Sequence, residues 1–276
     1  MPYLSVPDCR LHYEVSGSGP AIVFVHESAA DSRQWRAQVA GLSGRYRCVV
    51  YDARGYPPSD VPGRDEDYGY EQAWQDLAAV VEQVAGGPAH IVGLSMGAYA
   101  GLMLALHRPE LVRSLTFAGG GTGSTRQPNR ILRERMEALA QVFLDEGSAA
   151  AAAHIAAHPN REGFRRRDPQ GWQAWYDDLC DHSPLGMALT YRNYQGLRPS
   201  LYDHEERLRR LEVSVLLCVG DEDPGCLEIN LFLKGILPDA GLWMTPKSGH
   251  AVNLEAPEAF NFMVGAFIDG VDRRPG

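Results

Sequence analysis

Short apolar runs alternate with longer amphipathic stretches along this chain: RLHYEV (10–15), AIVFVHE (21–27), YRCVVYD (46–52), AHIVGL (89–94), SLTFAG (114–119), VSVLLCVG (213–220) and LWMTP (242–246). Their length and β-rich content predict strands, most of them in one buried sheet. Between them the apolar period lengthens. Trp35, Val39 and Leu42 recur one helical turn apart, as do Trp74, Leu77, Val81 and Val84, and then Phe260, Met263, Val264, Phe267 and Ile268. Each set is a one-sided stripe that predicts a helix covering the sheet. Asp31 followed by Gln34 resembles a capping box, and Pro257 stands where a first helical turn would begin, which sets two helix starts. The alternation predicts an α/β fold with a mostly parallel, doubly wound sheet.

That alternation stops between about residue 122 and residue 205, beginning at the glycine-rich GGGTGS (119–124). Strand-like runs vanish there, and the sequence turns helical and polar. Leu132, Met136, Leu139 and Phe143 form one stripe, an alanine-rich SAAAAAHIAAH follows, and QGWQAWYDDL (170–179) brings Trp172, Trp175 and Tyr176. The division expected is a core of residues 1–122 and 205–276 carrying a helical cap of residues 123–204. Packing between cap and core accounts for the cap aromatics most simply; the sharper reading makes Trp172, Trp175, Tyr191 and Tyr194 walls of a substrate pocket.

Composition removes several function classes. A chain of 276 residues can bury a sizeable core without disulfides. Its 26 basic and 35 acidic side chains give a net charge of -9, which disfavours nucleic acid as a partner. The five cysteines are scattered and form no C-x-x-C pair, so neither a disulfide framework nor a zinc site is indicated. With no leader-like N-terminus and no long apolar run, the expectation is a cytoplasmic protein without a membrane partner, acting on a small molecule. No pattern sets the oligomeric state.

The chemistry centres on AHIVGLSMGAY (89–99), where Ser95 lies between Gly93 and Gly97 at a strand-to-helix junction. G-x-S-x-G in that context is the nucleophile-elbow pattern: a tight turn lifts the hydroxyl clear of the backbone, and the glycines allow the close approach the turn demands. A serine hydroxyl needs a base, and His250 lies on the loop after the last strand run. An acid must orient that imidazole, and GDEDP (220–224) places carboxylates at the same sheet edge.

With these pieces the chain resembles a capped α/β-hydrolase over essentially the whole core. The resemblance implies Ser95, Asp223 and His250 as the catalytic triad, with Asp221 the second choice of acid. It implies oxyanion donors at the backbone N–H groups of Ser28 and Met96, and a structural role for DARGYPPS (52–59), where Pro57 stands at a position more often glycine. One departure stands out. The family usually has His-Gly after its third strand, whereas here His26 is followed by Glu27. Two readings follow: the carboxylate turns away and pairs with Arg54 or Arg33, or it lines the pocket and meets a polar part of the substrate or a water.

The implied activity is hydrolysis of an ester, lactone or thioester of a small to medium apolar acid through an acyl-enzyme, with no cofactor and no metal. The same triad also serves carbon–carbon bond hydrolases acting on β-diketones, and a slow-turnover binding or sensing protein is the alternative from another class. Epoxide hydrolases and haloalkane dehalogenases use an aspartate where this chain has Ser95. Three features read as bystanders: the His154 and His158 pair of HIAAH, spaced like zinc ligands on one helical face but lacking a third; the basic REGFRRR (161–167), able to meet an anionic group but read first as solvated cap surface; and Cys226, three residues after Asp223 and so able to lie near the site, but read first as core filler.

Overall fold

The computed structural model describes residues 2–127 and 129–274. A strand that the hydrophobic pattern does not announce, β1 (Tyr3–Val6), precedes the seven expected ones: β2 (Cys9–Ser16), β3 (Ala21–Val25), β4 (Arg47–Tyr51), β5 (Ala89–Leu94), β6 (Val112–Ala118), β7 (Ser214–Gly220) and β8 (Ala240–Thr245). Strand β1 has four residues and buries only Leu4, too short a run to show a period. All eight form one sheet in the order β1-β2-β4-β3-β5-β6-β7-β8. The β1–β2 and β2–β4 pairs are antiparallel, and all the others are parallel.

Helices α1 (Arg36–Leu42), α2 (Tyr70–Ala79) and α3 (Met96–His107) follow β3, β4 and β5. Beyond β6 comes an inserted helical region: α4 (Arg130–Glu146), α5 (Ser148–Ala156), α6 (Pro159–Arg167), α7 (Pro169–Cys180) and α8 (Pro184–Leu189). The chain returns to the sheet through α9 (Glu205–Leu208); α10 (Pro224–Ile236) follows β7, and α11 (Val252–Glu255) and α12 (Pro257–Asp272) follow β8. The arrangement is α/β, a mostly parallel sheet with helices on both faces and a helical cap.

Successive strand side chains point to opposite faces, so each central strand feeds two cores. Ile22, Phe24, Val92 and Leu94 meet Trp35 and Leu42 with Phe260 and Val264 of α12 on one face. Val23, Val25, Ile91 and Leu115 meet Leu77 of α2 and Leu102 of α3 on the other. A strand buried on both faces reads as a continuous apolar run, which is why these strands were legible.

Two local expectations change. Asp31 caps the short turn Ser32–Trp35 by accepting the Arg33 N–H, but Gln34 does not close a capping box; its Oε1 accepts the Glu27 N–H at 2.9 Å. The HIAAH histidines do not share a helix face, because α5 ends at Ala156 and His158 caps α6, with both rings exposed. Pro257 opens α12 as expected. Among the described residues, no helix is long and apolar enough to cross a membrane.

Candidate active site

Strand β5 ends at Leu94, and Ser95 takes φ 52°, a left-handed conformation that few residues other than glycine adopt, before α3 begins at Met96. The neighbouring strand holds this turn: the Ser95 N–H donates to the Ala118 carbonyl at 2.8 Å. A Cβ on Gly93 would lie 2.4 Å from Gly97, and one on Gly97 would lie 2.1 Å from the Val25 carbonyl oxygen. Both glycines of the motif are therefore required by backbone packed against backbone.

Strand β7 delivers Asp223 to the N-cap of α10, and the loop after β8 delivers His250. Gly220 makes their meeting feasible, since a Cβ there would stand 2.2 Å from the carbonyl oxygens of Ser248 and Gly249. His250 Nδ1 and Asp223 Oδ2 are 2.6 Å apart, both groups buried. Asp221 is exposed and accepts the Ser248 N–H instead. His250 sits over Gly119, the residue after the carbonyl that holds Ser95: a Cβ on Gly119 would be 3.7 Å from His250 Cε1. Ser95 is half-buried, and its hydroxyl makes no hydrogen bond to Nε2, which faces Glu27 Oε2 at 3.8 Å.

Burial pushes the Asp223 carboxyl up, but the charge and hydrogen bond of His250 outweigh it and hold the group well below the usual carboxylate range. Burial likewise pushes the imidazole down, and Asp223 more than reverses this, so His250 lies well above an ordinary histidine. Glu27 is fully buried. Desolvation opposes its charge, yet Arg161 and then His250 keep it ionised and lowered.

The partner of Glu27 overturns one sequence expectation. Arg54 is engaged with Asp76 and Arg33 with Asp31; Glu27 instead receives Arg161 of α6, with Nη1 to Oε1 at 3.1 Å and Nη2 to Oε2. Arg161 belongs to the basic run expected to be solvated, but it is 4% exposed and stacks over Trp175 at 4.7 Å. The other three arginines of the run, Arg165, Arg166 and Arg167, are exposed as expected, Arg165 paired with Glu162 and Arg167 bridging Glu222 and Glu255. The preceding residue, Asn160, donates to Asp223 Oδ1 at 3.3 Å and accepts the His250 N–H through its carbonyl at 3.3 Å. One cap helix thus holds both carboxylates that flank the imidazole.

Cap and core aromatics hold the segments expected to carry the oxyanion donors. Tyr56 donates to the Ser28 carbonyl at 3.0 Å, Tyr194 to the Met96 carbonyl at 2.9 Å and Trp175 to the Ala29 carbonyl at 2.9 Å. Ser28 Oγ donates to the Tyr191 hydroxyl at 3.3 Å. Among the described residues, the N–H groups of Ser28 and Met96 meet no protein acceptor. His26 fixes the loop from below: Nδ1 donates to the Glu27 carbonyl, and Nε2 accepts the Ala53 N–H. Trp172 stacks on Tyr176 and lines a groove with Ala153 and Arg165.

Cys226 is more than filler, because its thiol donates to the Gly119 carbonyl at 3.2 Å and lies 4.0 Å from His250 Nδ1. Asp223, Cys226 and His250 place ligand-type atoms within 4.8 Å of one another. His250 Nδ1 is bonded to Asp223, the Cys226 thiol donates to the Gly119 carbonyl, and burial raises the thiol. Asn160 was not singled out by the sequence, and Arg161 only as part of a basic run able to meet an anionic group, which here is Glu27.

A model of the "Alpha/beta hydrolase family" matches residues 22–261. The chain is 26% identical to 3-oxoadipate enol-lactonase 2 of Acinetobacter baylyi, over 96% of this chain and 95% of that one. It is 29% identical to 2-(acetamidomethylene)succinate hydrolase of Mesorhizobium japonicum, over 94% of this chain and 91% of the other. In structure it superposes on the enol-lactonase from Burkholderia xenovorans LB400 with a TM-score of 0.85, 23% identity, and coverage of 97% and 100% of the two chains.

Proposed function

This chain belongs to the alpha/beta hydrolase family, and we propose that it hydrolyses a small carboxylic ester, lactone or thioester through an acyl-enzyme on Ser95. The observation that carries the reading is His250 Nδ1 held 2.6 Å from Asp223 beside the Ser95 elbow. In this mechanism Nε2 takes the Ser95 proton as the oxygen attacks the carbonyl carbon, and Asp223 stabilises the imidazolium. The N–H groups of Ser28 and Met96 receive the oxyanion; each such donor is worth about 3 kcal/mol of barrier. Nε2 then passes its proton to the leaving group, water enters, and the cycle repeats on the acyl-enzyme.

Residues 123–204 act in this reading as the cap that encloses the substrate, and residues 1–122 and 205–276 as the core. Tyr191, Tyr194 and Trp175 contribute by anchoring the loops that carry the donors. No cofactor or metal takes part. A cytoplasmic setting accords with the five free cysteines. The kinship with a 3-oxoadipate enol-lactonase and a 2-(acetamidomethylene)succinate hydrolase supports an acyl-bond substrate.

The test is a panel of p-nitrophenyl esters beside a vinylogous diketone, with fluorophosphonate labelling of the serine. Multiple turnovers on at least one ester are expected, with Ser95→Ala losing about 1,000-fold or more in kcat and all labelling. Turnover of the diketone alone would indicate carbon–carbon cleavage, and labelling without turnover would indicate a sensor.

A further inference from the structure

The carboxylate of Glu27 is charged, buried and only half used. A carboxylate offers about four lone-pair positions. Arg161 occupies two, and among the described residues no other side chain or backbone group donates to it. Its Oε2 lies 3.8 Å from His250 Nε2, too far for a hydrogen bond between them. In acyl transfer at Ser95, Nε2 protonates the leaving atom, which must then sit within about 3 Å of that nitrogen. Because Nε2 and Oε2 are 3.8 Å apart, an atom on the Glu27 side of that nitrogen can lie within hydrogen-bond distance of both.

What that neighbour favours follows from the leaving atom. An ester oxygen carries lone pairs and gathers negative charge as its bond to carbon breaks, so a fixed carboxylate beside it is repulsive. The nitrogen of a secondary amide or carbamate carries an N–H. That hydrogen bond strengthens as the nitrogen takes up a proton, so it is tightest in the transition state, where it lowers the barrier.

We propose, on the reading of Ser95 as nucleophile, that Glu27 accepts the N–H of a leaving nitrogen and that this chain hydrolyses secondary amides or carbamates. Ser95 Oγ attacks the carbonyl carbon and its proton passes to Nε2. The carbon–nitrogen bond breaks as Nε2 returns that proton to nitrogen, and an amine leaves with its original N–H still donating to Glu27. Water adds to the acyl-enzyme, giving one proton to Nε2 and thence to Ser95, and the acid departs. Arg161 is the positioning residue that keeps Glu27 ionised and aimed.

The experiment takes the acyl group preferred in the p-nitrophenyl ester panel and compares that ester with its 4-nitroanilide and the N-methyl 4-nitroanilide. The expected result is release of 4-nitroaniline with an enhancement over the uncatalysed reaction at least about tenfold larger than for the ester. N-methylation should cost at least about 100-fold in kcat/KM, and Glu27→Leu with Arg161→Met should shrink that penalty by about tenfold or more. Ester turnover without anilide turnover overturns the proposal, as does an anilide enhancement no larger than that of the ester. A penalty unchanged by the double substitution overturns it too, and if that variant does not fold the wild-type comparisons decide alone. Absence of both ester turnover and Ser95 labelling overturns the nucleophile assignment beneath it.

Discussion

A single carboxylate at position 27 alters the working charge of the imidazole it faces. His250 is already raised by Asp223 against the lowering effect of its own burial, and Glu27 adds negative charge 3.8 Å from Nε2. In the proposed reaction His250 serves as base only when unprotonated, so kcat/KM should rise with pH through its raised pKa, with the acid limb above that of an ordinary histidine. A unit charge at this distance is worth about 4 kcal/mol at an effective dielectric of 20, most of it cancelled by Arg161. Glu27→Gln should therefore move the acid limb to lower pH by roughly 1 unit, read from pH profiles of kcat/KM; an unmoved limb would mean that the carboxylate is not felt at Nε2. Ser95, Gly93 and Gly97 were legible because the elbow is a local pattern whose steric demands lie within a few residues. The partner of Glu27 was not, since Arg161 is 134 positions away and an arginine's sequence neighbours do not reveal what it will meet across the fold.

At the scale of elements, α6 is the unit through which the cap acts. Its first turn sends Asn160 to Asp223 and Arg161 to Glu27, so a small rotation of this helix disturbs both sides of the imidazole. Loss of a neutral donor to a buried carboxylate costs about 1–2 kcal/mol. Asn160→Ala should accordingly lower kcat about tenfold with KM little changed, and Asn160→Gln should restore part of it; an equal loss in both variants would mark a packing defect instead. The strands and the α1, α2 and α12 stripes were readable from period alone. Cap orientation was not: Trp172 and Trp175 both sit on the apolar side of α7, yet Trp175 anchors the loop after β3 while Trp172 stacks on Tyr176. Which edge of a helix stripe faces a catalytic loop depends on how the cap docks, and no local signal records it.

At the scale of the whole molecule, core and cap are joined by a buried ion pair whose two charges come from different layers. Breaking such a pair by removing one partner leaves an uncompensated charge in the interior, which typically costs about 3–5 kcal/mol, whereas replacing both by apolar groups of similar volume is close to neutral. Arg161→Met alone should lower stability by about that amount in urea unfolding, and Glu27→Leu added to it should recover most of the loss. Additive losses would show that the two charges do not act as a pair. The doubly wound order of the sheet and the place of the insertion followed from strand-helix alternation, because βαβ connections leave few topologies open.

The Glu27–Arg161 contact also limits how this protein can be rebuilt. Caps on a shared scaffold are often pictured as exchangeable lids, but any transplant lacking a guanidinium at the position of Arg161 would strand a bare anion against the His250 imidazole. Changing position 27 to glycine in the recipient would lift that barrier, so two distant sites in the gene must change together whenever this lid is traded.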